Sequence, residues 1–327
     1  MTPVSNPGRS ADYKPALAWF AAFSSIWVFV LVILGAFTTT IGAGMVFADW
    51  PLSNGSLNPA GWMDDLAMFA EHSHRLSAIV MGSLTILLAV WLWRTEARAW
   101  LRRLALYAVA LVIAQGVVGG LRVLLDRLHV DVVDTSVGRL FAMLHACLAQ
   151  LFVCTLIAIA VALSRGWIKG GSTVAEGVRR AGTWCCALLF LQLAIAAVMR
   201  HSFAGLAIPT FPFSTSQGGL LPEVWTFRVG IHFAHRCMAA ILAVALVWFA
   251  FRVRSDRGAT IGMRLGASTL VTLIAIQILL GAQIIWTQRA AAVTTGHVAV
   301  GALTLAVTFW LTWVASRDQV ERRFAHE

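Results

Sequence analysis

Long apolar runs alternate with short polar segments along the whole chain. A bilayer core about 30 Å thick needs roughly 20 helical residues to span it, and eight of the runs meet this length. The predicted transmembrane helices cover residues 17–39, 71–93, 104–125, 138–164, 183–201, 230–251, 265–287 and 293–315. We therefore predict an all-α integral membrane protein, because a helix satisfies its own backbone hydrogen bonds in lipid.

The composition supports this class and excludes a soluble domain of ordinary type. Hydrophobic residues make up 59% of the 327 residues and charged residues only 12%, well outside the usual balance for soluble proteins. All five cysteines fall inside predicted helices, so no disulfide is expected in an outward loop. We expect them to be small buried apolar residues.

The charges lie on one side of the predicted membrane. The termini and the loops after the second, fourth and sixth helices carry 17 of the 25 basic and seven of the 15 acidic residues, so the net +10 falls there. This positive-inside pattern predicts a multi-pass protein of a prokaryotic cytoplasmic (inner) membrane with both termini cytoplasmic. The polar first 16 residues predict an uncleaved N-terminus. The high pI needs no nucleic-acid partner.

The second half of the chain repeats the first. At offsets of 161, 162 and then 152 residues, the pairs are Gly44 with Gly205, Pro51 with Pro212, Glu71 with His232, His74 with His235, Arg75 with Arg236, Gln115 with Gln277, Gly119 with Gly281, and His145 with His297. Because each unit crosses the membrane an even number of times, both units have one orientation. We predict two tandem, pseudo-twofold-related four-helix bundles. Their boundaries are a tail at 1–16, a first half at 17–165, a linker at 166–182, a second half at 183–316 and a tail at 317–327.

Each half places one histidine near the outward start of its second helix and one near the outward start of its fourth. These are His74 and His145 in the first half, and His235 and His297 in the second. Two imidazoles on facing helices can ligate one haem iron axially. Zinc and copper usually need more ligands than the repeat supplies. For any single histidine a structural role is the alternative, but four repeat-related positions favour two haem sites.

The halves differ at Glu71, which His232 replaces in the second half. A carboxylate one helical turn from His74 can move protons or stabilise a developing positive charge. We therefore predict the reaction site in the first half and a permanent cofactor in the second. Arg75 and Arg236 are predicted to pair with haem propionates, and the alternative is that they extend to headgroups or water. Of the other histidines, His72, His201 and His232 receive no role.

A loop of about 30 residues follows the first helix and holds no lysine or arginine. It is rich in Gly, Pro and Trp, and it is long for a simple connection. We interpret it as a lid at the membrane surface, with an inert ordered loop as the alternative.

Taken together, these features resemble the haem A synthase family along essentially all eight helices. The matching residues are Gly42-Ala-Gly-Met45, Asp49-Trp50-Pro51-Leu52, the Glu-x-x-His-Arg motif of 71–75, His235-Arg236, His145 and His297. Many members carry cysteines just before the Asp-Trp-Pro, where this chain has Phe47-Ala48. Any thiol chemistry proposed for those members cannot use these positions here.

The resemblance implies an enzyme that oxidises the C8 methyl group of haem O to a formyl group, giving haem A for cytochrome oxidase. It implies that His74 and His145 hold haem O, that Glu71 assists catalysis, and that His235 and His297 ligate a haem b. The implied partners are haem O, membrane lipid, haem O synthase and cytochrome oxidase assembly proteins. If the protein is a homo-oligomer, a second copy of the chain is also a partner.

Two other functions remain as alternatives at this point. A dihaem b-type electron-transfer protein linked to a quinone would ligate haem in both halves without converting it. Such a carrier needs a site near each membrane face, whereas all four histidines are predicted near the outer one. A transporter would use Glu71 and the histidines as a proton relay, but the chain lacks the broken helices expected at the membrane midplane.

Overall fold

Eight long helices dominate the computed structural model, which describes residues 11–130, 135–171 and 174–324. Most of the predicted N-terminal tail, residues 1–10, lies outside these ranges. The helices are α1 (Pro15–Thr40), α2 (Leu66–Thr95), α3 (Ala99–Leu124), α4 (Val137–Ala162), α5 (Arg165–Lys169), α6 (Glu176–His201), α7 (Phe227–Ser255), α8 (Ile261–Trp286), α9 (Ala291–Ala315) and α10 (Arg317–Arg323). Two antiparallel strands of two residues each, β1 (His129–Val130) and β2 (Thr135–Ser136), form a small sheet.

All helices except the short α5 and α10 are long and apolar enough to cross a membrane, which confirms the all-α, eight-span prediction. The predicted start of α2 at residue 71 is wrong. The side chain of Asp65 accepts a hydrogen bond from the Met68 N–H and caps the helix before Leu66. Glu71 therefore lies in the second turn of the helix and is 4% exposed, instead of lying at the entrance.

Each half of the chain closes a ring of four helices. Helices α1 to α4 pack in sequence and α4 returns to α1, and α6 to α9 repeat this pattern. Contacts of α1 with α9, α4 with α6 and α4 with α9 join the halves. The packing is compatible with two tandem four-helix bundles, while the domain boundaries and the pseudo-twofold axis remain predictions. We name the two ends of the molecule the loop side, where α2, α4, α7 and α9 begin, and the arginine-rich side.

A buried polar network joins the first half to the linker and to the C-terminal helix α10 on the arginine-rich side. The carboxylate of Glu96, which is fully buried, binds the guanidinium of Arg98 at 3.0 Å. Arg98 also donates to the Ala162 carbonyl at 3.0 Å and contacts Glu321 at 3.3 Å. Glu321 in turn accepts a hydrogen bond from the Trp167 indole at 2.6 Å. The network links the connection between α2 and α3, which holds Glu96 and Arg98, to α4, α5 and α10.

Candidate functional site

The four paired histidines lie at similar depth below the loop side. His74, His145 and His235 each follow the first residue of their helix by eight positions, and His297 follows the start of α9 by six. At 1.5 Å per residue this is roughly 9–12 Å along the helix axis. The structure therefore puts all four rings on one side of the molecule, which does not suit an electron carrier that spans the membrane.

The structure brings the histidines together as two pairs. The rings of His74 and His145 are near enough to interact electrostatically, and so are those of His235 and His297. The Nδ1 atoms of His74, His145 and His297 are buried and have no hydrogen-bond partner. A buried ring nitrogen without a partner is costly, and a neutral imidazole has one lone pair that a metal ion can use. The pairs thus fit the donor set that an iron porphyrin requires.

Small residues give the imidazoles room. A Cβ added to Gly35 would lie 2.8 Å from Cε1 of His74, and one added to Gly119 would lie 3.3 Å from Cε1 of His145. In the second half, a Cβ on Gly281 would lie 3.4 Å from Cε1 of His297. The glycines that the sequence places at matched positions in α3 and α8 therefore let each ring pack against the neighbouring helix backbone.

Three glutamines also contact the paired histidines, and the sequence pattern does not assign them to the site. The amide of Gln192 lies 3.0 Å from Nδ1 of His235 and donates to the His235 carbonyl at 3.1 Å. Gln277 contacts Nε2 of His297 at 3.3 Å. In the first half, Gln115 bonds only to the backbone carbonyl of His145, at 3.1 Å. The second pair is therefore held by more side-chain contacts than the first.

Glu71 does not use its carboxylate on His74. Its Oε2 accepts hydrogen bonds from the N–H groups of Val46 at 2.8 Å and Phe47 at 3.2 Å. Its Oε1 pairs with Arg75 at 2.6 Å. We name the segment 41–65 the first clamp loop, because Glu71 holds its backbone against α2.

Arg75 completes this attachment. Its guanidinium donates to the carbonyls of Phe47 at 3.2 Å, of Asp49 at 2.8 Å and of Leu52. Three backbone carbonyls and one carboxylate thus use the two terminal nitrogens of Arg75. The structure directs these donors to the loop, so a propionate contact for Arg75 stays a prediction that these bonds do not support.

The second half builds the same attachment with a neutral group. The ring nitrogens of His232 lie 3.2 Å from the backbone nitrogen of Ile208 and 3.3 Å from Nε of Arg236, and a neutral imidazole accepts from one of the two. Arg236 donates to the carbonyls of Ile208 at 3.0 Å, Thr210 at 2.7 Å and Phe213 at 3.4 Å. These residues match Phe47, Asp49 and Leu52 at the offset of 161. We name the segment 202–226 the second clamp loop, and His232 takes in it the structural place of Glu71.

His72 also anchors the first clamp loop. Its two ring nitrogens contact the Ser53 hydroxyl at 3.0 Å and the Leu57 carbonyl at 3.2 Å, and the ring packs edge-on against Trp62. Asp49 orders the same loop by accepting from the N–H groups of Asn54 and Gly55. Desolvation opposes the effect of these N–H groups, but together they hold the pKa of Asp49 below its ordinary value.

Phe47 holds the first clamp loop against α2 without a disulfide bond. The ring is fully buried and packs against His72, while its N–H and carbonyl bind Glu71 and Arg75. All five cysteines are free thiols, of which Cys154 and Cys185 are buried; the expectation that all five are buried is wrong for Cys237, which is exposed. Across the described part of the chain, no group of three or more His, Cys, Asp or Glu side chains is arranged to hold a metal ion.

Comparison with known proteins agrees with this geometry. Residues 18–309 match the COX15-CtaA family model, described as cytochrome oxidase assembly protein. A heme A synthase of Alkalihalophilus pseudofirmus is 26% identical over 317 residues, covering 91% of this chain and 97% of that protein. Heme A synthases of Shouchella clausii and Geobacillus kaustophilus are 27% and 25% identical, covering 82% and 86% of this chain and 86% of each relative. Because the family model spans nearly the whole chain and all eight membrane helices, this protein belongs to the cytochrome oxidase assembly protein family.

Proposed function

We propose that this protein is a haem A synthase, which oxidises the C8 methyl group of haem O to a formyl group. Membership of the cytochrome oxidase assembly family and the names of its relatives support this activity. A methyl group becomes a formyl group by gaining one oxygen atom and losing four electrons overall. The site must therefore hold the porphyrin, move protons and pass electrons onward.

One observation carries the assignment of roles to the two halves. Both halves attach a clamp loop through the same arginine contacts, yet only the first half uses a carboxylate, Glu71, where the second uses His232. The attachment itself therefore does not need a negative charge. In this proposal the charge of Glu71 takes part in the reaction, so the reaction site lies in the first half.

In this scheme His74 and His145 hold haem O, and His235 and His297 hold a haem b. A bound haem b supplies one-electron chemistry, and its potential is set by its axial ligands and surroundings. The additional contacts of Gln192 and Gln277 restrict the second pair of rings, which suits a permanent cofactor. In the first pair, Gln115 bonds to a backbone carbonyl and not to a ring nitrogen, which suits a ligand that must enter and leave.

Glu71 acts as a proton acceptor in the proposal, and Arg75 keeps it in place. The buried ion pair orients the carboxylate, and the first clamp loop covers it from the loop side. Exclusion of water strengthens electrostatic interactions at such a site. General acid–base groups contribute about 100-fold to 10,000-fold in rate when so positioned.

The cellular setting completes the proposal. The charge asymmetry supports a prokaryotic inner-membrane location with both termini cytoplasmic, which puts the clamp loops on the outer side. A prenylating enzyme that makes haem O must supply the substrate, and assembly of cytochrome oxidase consumes the product.

The test is co-expression of the full chain with a source of haem O, followed by mass analysis of extracted pigments. We expect haem A in the extract, and a purified protein that carries both haem O or haem A and haem b. A control with His145→Ala should keep haem b and lose haem A. Abundant, haem-loaded wild-type protein that yields no haem A would refute the proposed activity.

A further inference from the structure

A group of basic side chains lies at the seam between the two halves on the loop side. Arg122 is at the end of α3, Arg139 in the first turn of α4, and Arg200 and His201 at the end of α6. His201 is within electrostatic reach of all three arginines and of His145. We name these four residues the seam cluster. The repeat does not explain it, because the matched positions hold uncharged residues.

The charge of Arg122 has no partner. Its guanidinium makes no hydrogen bond or ion pair with any residue of the described ranges. The two carboxylates that interact with it at longer range, Glu71 and Asp126, are already engaged: Glu71 binds Arg75, and Asp126 accepts from the Ser136 hydroxyl at 2.5 Å. Arg122 is therefore a half-buried cation beside the first histidine pair with nothing to bind.

The chain keeps space for this guanidinium. A Cβ on Gly44 would lie 2.3 Å from Nη2 of Arg122, so any larger residue would displace the side chain. The first clamp loop thus approaches Arg122 closely without bonding to it. A cation that is given room but no partner indicates an anionic ligand.

The rest of the cluster is arranged around the same place. Arg200 donates to the Ala36 carbonyl at 2.8 Å and the Thr40 hydroxyl at 2.7 Å, which fixes it against the end of α1. Arg139 stacks on Phe203 at 4.9 Å and has no carboxylate partner within the described residues. Like charges held together in a half-buried place are costly unless an anion offsets them.

The cluster lies outward of the first histidine pair. Arg139 precedes His145 by six residues on α4, which is roughly 9 Å closer to the loop side. Arg122 interacts electrostatically with both His74 and His145. An iron porphyrin has two carboxylates at one edge, displaced from the iron in the plane of the ring. A porphyrin held by His74 and His145 with that edge outward would present its carboxylates to the seam cluster.

We infer that the seam cluster binds the propionate carboxylates of the haem held between His74 and His145, with Arg122 as the principal contact. The inference rests on the proposed function for the identity of the ligand. It gives the substrate carboxylates a site other than Arg75 and Arg236, whose terminal nitrogens are engaged by loop carbonyls. Guanidinium groups suit this task because they bind carboxylates in a bidentate manner.

The test compares iron protoporphyrin IX with its dimethyl ester, which has the same ring without the charges. Each is titrated into purified full-length protein, and the His74→Ala variant identifies the part of the spectral change that belongs to the first half. Arg122→Gln should weaken binding of the diacid about tenfold to hundredfold, as expected for loss of a charge-assisted hydrogen bond. It should leave binding of the ester unchanged.

Arg127→Gln is the matched control, because it removes the same charge from an exposed position on the same side. Arg122→Lys should recover part of the affinity. If Arg122→Gln does not fold, Gly44→Ala displaces the guanidinium without removing it and should weaken the diacid selectively. Equal affinity of wild type and Arg122→Gln for the diacid would overturn the inference.

Two further outcomes separate this inference from its premise. Wild-type protein that binds neither porphyrin would refute the proposed function itself. The other outcome concerns lipid phosphate, tested in nanodiscs of phosphatidylglycerol and of phosphatidylcholine. If Arg122→Gln reduces retention of the anionic lipid but not affinity for the diacid, the cluster binds headgroups and the inference is wrong.

Discussion

Replacing Glu71 by histidine separates the structural role of this residue from its chemical one. The second half shows that an imidazole at the matched position, His232, contacts both a loop N–H and an arginine N–H. Glu71→His should therefore keep the first clamp loop attached through Phe47 and Arg75. It removes the only carboxylate that bonds to this loop from α2.

The expected magnitudes differ for folding and for catalysis. Glu71→His replaces a carboxylate that accepts from Val46, Phe47 and Arg75 with an imidazole that can accept at one ring nitrogen. Val46 is exposed and its N–H keeps the Ala43 carbonyl at 3.2 Å, so the loss in stability should be about 1–2 kcal/mol for the hydrogen bonds that are not replaced. Loss of a general acid–base group should slow conversion about 100-fold to 10,000-fold, or about 3–5 kcal/mol in the activation barrier. Glu71→Ala should destabilise more, about 3–5 kcal/mol, because it also leaves Arg75 buried and unpaired.

The assay is the ratio of haem A to haem O in pigments extracted from purified protein, normalised to haem b. Glu71→His should retain haem O and haem b and accumulate little haem A. Glu223→His, the same change at an exposed carboxylate in the second clamp loop, should convert normally. Conversion by Glu71→His at the wild-type rate would refute a catalytic role for the carboxylate.

Three other substitutions test the packing of the site and of the fold. Gly35→Ala puts a Cβ 2.8 Å from Cε1 of His74, so the spectrum should lose first-half haem and keep haem b. Gly116→Ala, where a Cβ would meet nothing within 4 Å, is its control. Arg236→Met removes the three hydrogen bonds that Arg236 donates to carbonyls of the second clamp loop. Backbone hydrogen exchange in that loop should accelerate by about 10-fold or more, because each lost bond is worth about 1 kcal/mol. Glu96→Gln removes the buried carboxylate partner of Arg98, which keeps only the longer contact with Glu321 at 3.3 Å. The fold should lose about 2–4 kcal/mol in thermal unfolding, and an unchanged melting temperature would show that the network is not needed for stability.

Hydropathy predicts the helices of this protein well because lipid imposes a simple rule on their composition. It places the starts of α2 and α6 too late, since both helices extend beyond the apolar run. Asp65 caps α2 before that run begins, and Glu176 lies favourably in the first turn of α6. Apolar periodicity does not register either signal.

The repeat predicts which residues correspond, but not what they touch. The offset of 161 pairs Glu71 with His232, whereas their shared role depends on two loops whose paths only the structure provides. The sequence predicts propionate partners for Arg75 and Arg236, because a charged residue in a membrane helix needs a partner. Backbone carbonyls meet that need here, and sequence patterns do not show them.

The seam cluster escaped the sequence analysis for a related reason. Arg122, Arg139 and Arg200 each lie near the end of a helix, where arginine commonly marks a membrane boundary. Only the packing of α3, α4 and α6 brings them to one place. His201 received no role from the sequence because its neighbours in space are distant along the chain.

The bonds of Glu71 have a consequence for the timing of turnover. A carboxylate that holds two backbone amides and a guanidinium weakens those bonds when it becomes protonated, since the neutral acid is the poorer acceptor. Loss of the negative charge of Glu71 would therefore loosen the first clamp loop. The second half has His232 in place of a carboxylate at the matched position. An oxidation that delivers protons to Glu71 would thus loosen the first clamp loop, so the product would leave after the reaction that forms it.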